Sequence, residues 1–127
     1  MIIKRGEIWK VRLDPTEGAE IKKDRPCAVV SNEAIIAVVN DNDIGILPLK
    51  IIVPLTEWND RFSVAPWHVP IKATHENGLS KKSTADTFQV RSISEERFIQ
   101  KMGTLLPEDL ERIKVGLSIC LCIQENE

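Results

Sequence analysis

The chain has 127 residues, of which 43% are hydrophobic and 28% charged, with a formal net charge of −2 and a pI near 5.8. That length holds one domain around one core. No run approaches the ~20 consecutive apolar residues of a bilayer span, and no apolar stretch follows Met1–Arg5, so no secretory signal is expected and the cytoplasm is the expected compartment.

A net-acidic chain does not attract nucleic acid through its overall field, so any RNA contact must come from local basic clusters. The first element is Glu7–Leu13 (EIWKVRL). Ile8, Trp9, Val11 and Leu13 are apolar or aromatic and Lys10 and Arg12 are charged, which predicts a strand. Asp14-Pro15-Thr16-Glu17-Gly18 ends it with turn chemistry. Glu20–Arg25, with five charged residues in six, predicts a solvated loop. Pro26–Val30 predicts a short strand opened by proline.

Asn32–Gly45 is weakly patterned. Ala34–Val39 fits a strand extension or a helical turn, and Asn40–Asp43 a loop tip that lacks the closing glutamate of a calcium loop. Ile46–Thr56 (ILPLKIIVPLT) predicts the central strand, with Pro48 and Pro54 at its ends or bends. Trp58–Arg61 reads as a polar loop, Trp67–Ile71 as a strand and His75–Gly78 as a turn. Ser83–Ser92 predicts one half-buried strand around Phe88 and Val90. Glu95–Phe98 adds a helical turn, and Ile99–Leu105 a last strand.

Pro107-Glu108-Asp109 opens a helix, with proline in the first turn and two acids at the positive end of its dipole. Leu110, Ile113, Leu117, Cys120 and Leu121 recur at helical spacing. Leu106 is a poor cap. The late run LSICLCI is apolar nearly all round, which predicts burial in the chain's own core or against a second subunit. Cys27, Cys120 and Cys122 form no CxxC pair and are odd in number, so free buried thiols are expected. Strands followed by one helix predict a single α+β domain, residues 1–127, on a compact, curled antiparallel sheet.

Several pieces together resemble one family. Arg5-Gly6-Glu7-Ile8-Trp9, Asp14-Pro15-Thr16-x-Gly18-x-Glu20, Arg25-Pro26 and Val29-Val30-Ser31 look like the signature of the MazF/PemK toxins. Gln89-Val90-Arg91-Ser92-Ile93-Ser94, Gly103-x-Leu105 and the terminal helix look like its second half. The resemblance implies an SH3-like small β-barrel with a C-terminal helix, acting as a homodimeric mRNA interferase of a toxin–antitoxin pair. It implies a sequence-selective endoribonuclease that needs no metal or other cofactor. The RNA 2′-hydroxyl attacks the adjacent phosphorus, leaving a 2′,3′-cyclic phosphate and a 5′-hydroxyl.

Such a reaction needs a base, an acid and fixed donors for the charge that grows on phosphorus. Arg25 resembles the family's catalytic arginine; its planar fork suits phosphate, and Pro26 would aim it. The plainer alternative is a loop-end charge paired with Glu20. Thr56 matches the second catalytic position, where a hydroxyl donates to a phosphate oxygen; otherwise it is a strand residue. Glu20 matches an acidic position proposed as general base in parts of the family, a role that needs burial to raise its pKa. One branch has an acid before the matching glutamine where this chain has Phe88 before Gln89. Asp86, two residues earlier, would share the face of Phe88 on a strand and is the candidate replacement.

Single-stranded RNA is held by aromatic stacking and local positive charge. Trp58, Arg61, Lys81, Lys82, Asp86 and Gln89 are the candidate RNA contacts, while Trp9 and Trp67 are expected in the core. His68 and His75 match no catalytic position. A groove for RNA phosphates also suits an acidic, disordered antitoxin tail of the MazE/PemI kind. Two alternatives stay open: a CcdB-like toxin that inhibits gyrase by binding, and a non-enzymatic SH3-like interaction module.

Overall fold

The structure, a computed structural model, describes residues 2–35 and 48–123. Seven strands form one antiparallel sheet: β1 (Glu7–Arg12), β2 (Asp24–Val29), β3 (Leu49–Glu57), β4 (His68–Ile71), β5 (Ser83–Asp86), β6 (Arg91–Ser94) and β7 (Phe98–Thr104). Helix α1 (Pro107–Leu121) follows. The strand path runs β4-β5-β3-β2-β1-β7, with β6 paired to the first half of β3. No helix among the described residues is long and apolar enough to cross a membrane. The expectations for Ala34–Val39, Asn40–Asp43 and the start of the Ile46 run fall wholly or partly on 36–47, outside the described residues.

Alternation along the strands feeds two cores, one on each face of the sheet. Ile8, Ala28, Val53, Leu55, Val69, Ile71 and Ala85 meet Ile113 of α1 on one face. Trp9, Val11, Leu13, Cys27, Val29, Ile52, Ile93 and Phe98 fill the other. Trp9 is in the core as expected, its ring edge-on to Phe98 and its Nε1 donating to Glu7 Oε1 at 3.0 Å. Ile113 is fully buried, and burial of that size stabilises by about 2–3 kcal/mol. Gly116 lets α1 come this close, since a Cβ there would sit 2.9 Å from the Thr87 side chain.

Five expectations are corrected. Strand β2 begins at Asp24 rather than Pro26, so Arg25 lies within a strand and not at a loop end. Pro54 is interior to β3, where the β6 ladder stops at Ile52 and the β5 ladder starts at Leu55, so its missing N–H falls in the gap between them. Ser83–Ser92 is two strands around a 3₁₀ turn, Thr87–Gln89, because the Asp86 carboxylate accepts from Phe88 N at 3.2 Å and caps that turn; all four residues of β5 are buried, not half-buried. The late face of α1 is not covered by the chain's own core: Val115, Ile119 and Leu121 stay exposed. Nor are all three thiols buried, since Cys122 is exposed and Cys120 only partly covered. The cap of α1 has no side-chain bond, as Leu106 predicts.

Candidate active site

The β2–β3 register sets Cys27 opposite Pro54 and Ala28 opposite Val53. Two residues further along each strand, Arg25 and Thr56 therefore come to the same face of the sheet. They line one cleft of about 140 Å³ with Glu57, Leu79, Lys81 and Met102. Arg25 is half-buried, and its Nε donates to Lys22 O at 3.2 Å. That bond fixes the guanidinium and leaves its two terminal nitrogens without a partner among the described residues. Glu20 forms no pair with it. Lys81 lies 3.7 Å from Glu57 on the same rim, both side chains well exposed. A planar fork, a hydroxyl and an ammonium line one small cleft, with the Glu57 carboxylate on its rim, and the first three are donors of the kind that an oxyanion uses.

A second cleft, about 360 Å³, lies between the loop Ala19–Ile21 and the wall Pro54, Phe88, Gln89 and Arg91. Pro54 and Thr56 point to the same side of β3, so the two clefts are neighbours along that strand. Glu20 belongs to this second cleft. It is exposed, and its Oε1 accepts from Glu17 N at 2.7 Å, which shapes the loop. Gln89 is a clasp: its Oε1 accepts from Ile21 N at 2.7 Å and its Nε2 donates to Ala19 O at 3.1 Å. The stem of the loop is tied separately, by Lys23 N to Asp14 Oδ2 at 3.1 Å and by Arg97 Nη1 to Asp14 O at 2.6 Å.

Asp86 does not share the face of Phe88. The strand ends at Asp86, which is buried, whereas Phe88 on the turn is 68% exposed. Burial pushes the Asp86 carboxyl above its ordinary value, against the opposing pull of His68 and the backbone N–H groups of Phe88 and Gln89. His68 Nε2 is 4.0 Å from Asp86 Oδ2, and His68 Nδ1 lies 2.9 Å from Thr84 Oγ1. The imidazole stacks flat on Phe62, with centroids 4.0 Å apart.

Trp58 and Arg61 belong to this aromatic wall. Trp58 packs edge-on against Phe62 and carries Lys82 Nζ 4.7 Å above its ring, while Arg61 sits 5.3 Å over Phe62. Trp67, expected in the core, is half-buried here between His68 and Phe88. The structure thus joins Arg25, Thr56 and Lys81 in one cleft, Glu20 and Gln89 in the next, and Trp58, Arg61 and Lys82 on the wall beside them.

Four features had little signal in the sequence. Glu57 in the first cleft looks like any strand-end acid. Phe88 reads as an apolar centre of the expected strand and as a departure from a family pattern; its place on an exposed turn overturns the first reading. Arg91 stands in the sequence only as one residue of the Gln89–Ser94 motif, yet its Nη1 is shielded from solvent and has no hydrogen-bond partner among the described residues. The His68–Thr84–Asp86 contact depends on the β4–β5 register, which sets His68 opposite Asp86.

A family model described as PemK-like, MazF-like toxin of type II toxin–antitoxin systems matches residues 4–121. Endoribonuclease MazF9 of Mycobacterium tuberculosis is 33% identical over 120 residues, 94% of this chain and 97% of the relative. Among solved structures, MazF of Deinococcus radiodurans superposes with a TM-score of 0.73 at 19% identity, covering 97% of this chain and 99% of that one. An endoribonuclease in complex with its cognate antitoxin, from a mycobacterial species, superposes with a TM-score of 0.70 at 16% identity, covering 98% and 100%.

Proposed function

The chain belongs to the PemK-like, MazF-like toxin family of type II toxin–antitoxin systems, and on that premise we propose that it is an endoribonuclease toxin cutting single-stranded mRNA by 2′-hydroxyl attack. The observation that carries this reading is the cleft shared by Arg25, Thr56 and Lys81. In the transition state the phosphorane carries more negative charge than the starting diester, and groups that match the later charge accelerate the step. Arg25 spans the two non-bridging oxygens through the guanidinium fork, Thr56 Oγ1 donates to one of the same two, and Lys81 adds charge at the rim. Glu20, on the loop over the adjoining cleft, is the proton acceptor in this reading. The acid that protonates the departing 5′-oxygen has no assigned residue.

Residues 1–127 act in this proposal as one toxin domain, its curled sheet forming the SH3-like barrel. The solvent-exposed apolar residues Val115, Ile119 and Leu121 of α1 fit a homodimer contact. An acidic antitoxin segment fits the cations of the same face, Arg25, Arg61, Lys81 and Lys82, which RNA phosphates would otherwise occupy.

Purified protein with a mixed single-stranded RNA in excess EDTA tests the proposal. Fragments with 2′,3′-cyclic phosphate and 5′-hydroxyl ends are expected. Arg25→Ala should lower kcat by a factor of about 100 or more with an unchanged circular-dichroism spectrum and melting point. Intact RNA after prolonged incubation with folded protein would overturn the reading, and wild-type rates in Arg25→Ala would remove Arg25 from the mechanism.

A further inference from the structure

The peptide between Lys22 and Lys23 lies between two charged side chains. Its N–H, on Lys23, donates to Asp14 Oδ2 at 3.1 Å, and its carbonyl, on Lys22, accepts from Arg25 Nε at 3.2 Å. In a trans peptide the N–H and C=O point in opposite directions. One rigid plane therefore carries a carboxylate on one edge and the Arg25 guanidinium on the other. A carboxylate bonded to the N–H also polarises the amide and makes its carbonyl a stronger acceptor.

That plane is held in an unusual setting. Lys23 has a φ of +72°, in the left-handed region where a Cβ crowds the backbone and glycine is the usual occupant. This φ is the rotation that orients the Lys22 carbonyl against the rest of β2. At an ordinary negative φ the plane swings round and the carbonyl leaves Arg25 Nε. Strain of this kind persists only where surrounding contacts over-determine it. Here Leu13 N donates to Lys23 O at 3.1 Å and Thr16 Oγ1 donates to Asp14 Oδ1 at 3.3 Å. Arg97 Nη1 donates to Asp14 O at 2.6 Å and to Arg12 O at 3.1 Å. The Lys23 side chain is exposed; what these contacts hold is its backbone.

We infer that the Lys22–Lys23 peptide is a bracket that aims Arg25 into its cleft, with Asp14 as the positioning residue that holds the bracket. Since Nε is committed to Lys22 O, the two terminal nitrogens are left for a ligand, and Arg25 meets a phosphate end-on. Asp14 acts only through the peptide, and Arg97 acts one step further back by fixing the Asp14 backbone. The inference rests on the endoribonuclease reading for the phosphate that Arg25 faces, whereas the bracket itself is a property of the folded chain.

The first test is RNA cleavage by four variants. Asp14→Ala, at an exposed position, should lower kcat by about ten- to a hundredfold and leave KM within about twofold. Asp14→Asn keeps an oxygen acceptor and should restore kcat to within about threefold of wild type. Lys23→Gly keeps the left-handed φ without a Cβ and should also stay within about threefold. Lys23→Val, whose branched side chain that region excludes, should fall as far as Asp14→Ala. Both Lys23 variants lose the same charge, so a split between them reads the backbone alone.

The second test needs no RNA. The Arg25 Nε–H signal of ¹⁵N-labelled protein is identified by its absence in Arg25→Lys. Its exchange with water should be slow in wild type, Asp14→Asn and Lys23→Gly, and about fivefold or more faster in Asp14→Ala and Lys23→Val. Wild-type kcat in Asp14→Ala, equal losses in Lys23→Gly and Lys23→Val, or an Nε–H exchange rate that Asp14→Ala leaves unchanged would each overturn the bracket. Where Lys23→Val does not fold, the two Asp14 variants decide by the same criteria. If wild-type protein leaves RNA uncut, the endoribonuclease reading fails by itself, and the exchange pattern alone upholds or overturns the bracket.

Discussion

Replacing Asn77 by alanine should be among the most damaging single changes outside the apolar core. Asn77 is fully buried. Its Oδ1 accepts from Thr74 N and Leu79 N, each at 3.0 Å, and its Nδ2 donates to Lys72 O at 2.8 Å. The side chain thus replaces a ladder for the segment between β4 and β5. Three such bonds are worth about 1 kcal/mol each, and the stranded backbone groups add a desolvation cost, for a total of about 3–4 kcal/mol. At this chain length, each kcal/mol moves the melting point by about 3–5 °C, so a fall of about 10–15 °C is expected. Urea denaturation measures it directly, as a lower midpoint at constant m. Asn77→Asp keeps the acceptor but turns a carboxylate toward Lys72 O, so it should be nearly as damaging at pH 7 and milder near pH 3. A loss under 1 kcal/mol in Asn77→Ala would refute the reasoning. Since Leu79 and Lys81 wall the Arg25 cleft, the same substitution should also raise KM for RNA at temperatures where the variant remains folded.

Burial raises the Glu7 carboxyl, but Lys101, Trp9 and Lys4 N more than offset it and leave its pKa below the ordinary value. Its contribution is therefore present above pH ~4.3 and lost as pH falls through the lower folded value; Glu7→Gln should cost about 1 kcal/mol at pH 7 and close to nothing near pH 2, read by urea melts at both. Asp86 is the reverse case, raised by burial. Its contribution is fully present below pH ~3.9 and lost as pH rises through the folded value, so wild type should lose stability relative to Asp86→Asn between pH 3 and 6; a constant difference would disprove it. Burial pushes the Cys27 thiol up to about 12, while Cys122 is exposed. Iodoacetamide at pH 8 should label Cys122 first and Cys27 only in denaturant, as mass spectrometry of the intact protein and its peptides will show.

Much of the fold was readable because local signals agreed. The alternation of EIWKVRL, the β-branched run that becomes β3, and the Pro107-Glu108-Asp109 opening of α1 each state one answer. The errors came where a side chain far away in sequence, or a single cap, decided the outcome. Asp86 reads as a strand residue until its carboxylate takes Phe88 N and bends the chain. The start of β2 at Asp24 follows from pairing with Arg12, which outweighs the solvated look of the loop. The Arg25–Thr56 pairing was reached through a family resemblance, since register between β2 and β3 is not written in either strand alone. Arg91 shows the limit of pattern reading. Only the packed sheet reveals that a charge in a polar-looking strand lies under the clefts with a nitrogen unmet.

The Gln89 clasp has a consequence for how often the groove stands open. The tip of the β1–β2 loop is held by two bonds to one side chain and by Ile21 against the core, while Asp14 and Arg97 keep its stem in place. Two bonds and one partly covered isoleucine amount to about 3 kcal/mol. At 25 °C that leaves on the order of one molecule in a hundred with the tip released and the stem still attached. A strand of RNA can thus be laid into the groove from the side during such an opening, with no free end to thread. Any ligand that satisfies Ala19 O and Ile21 N in place of Gln89 lengthens the open interval.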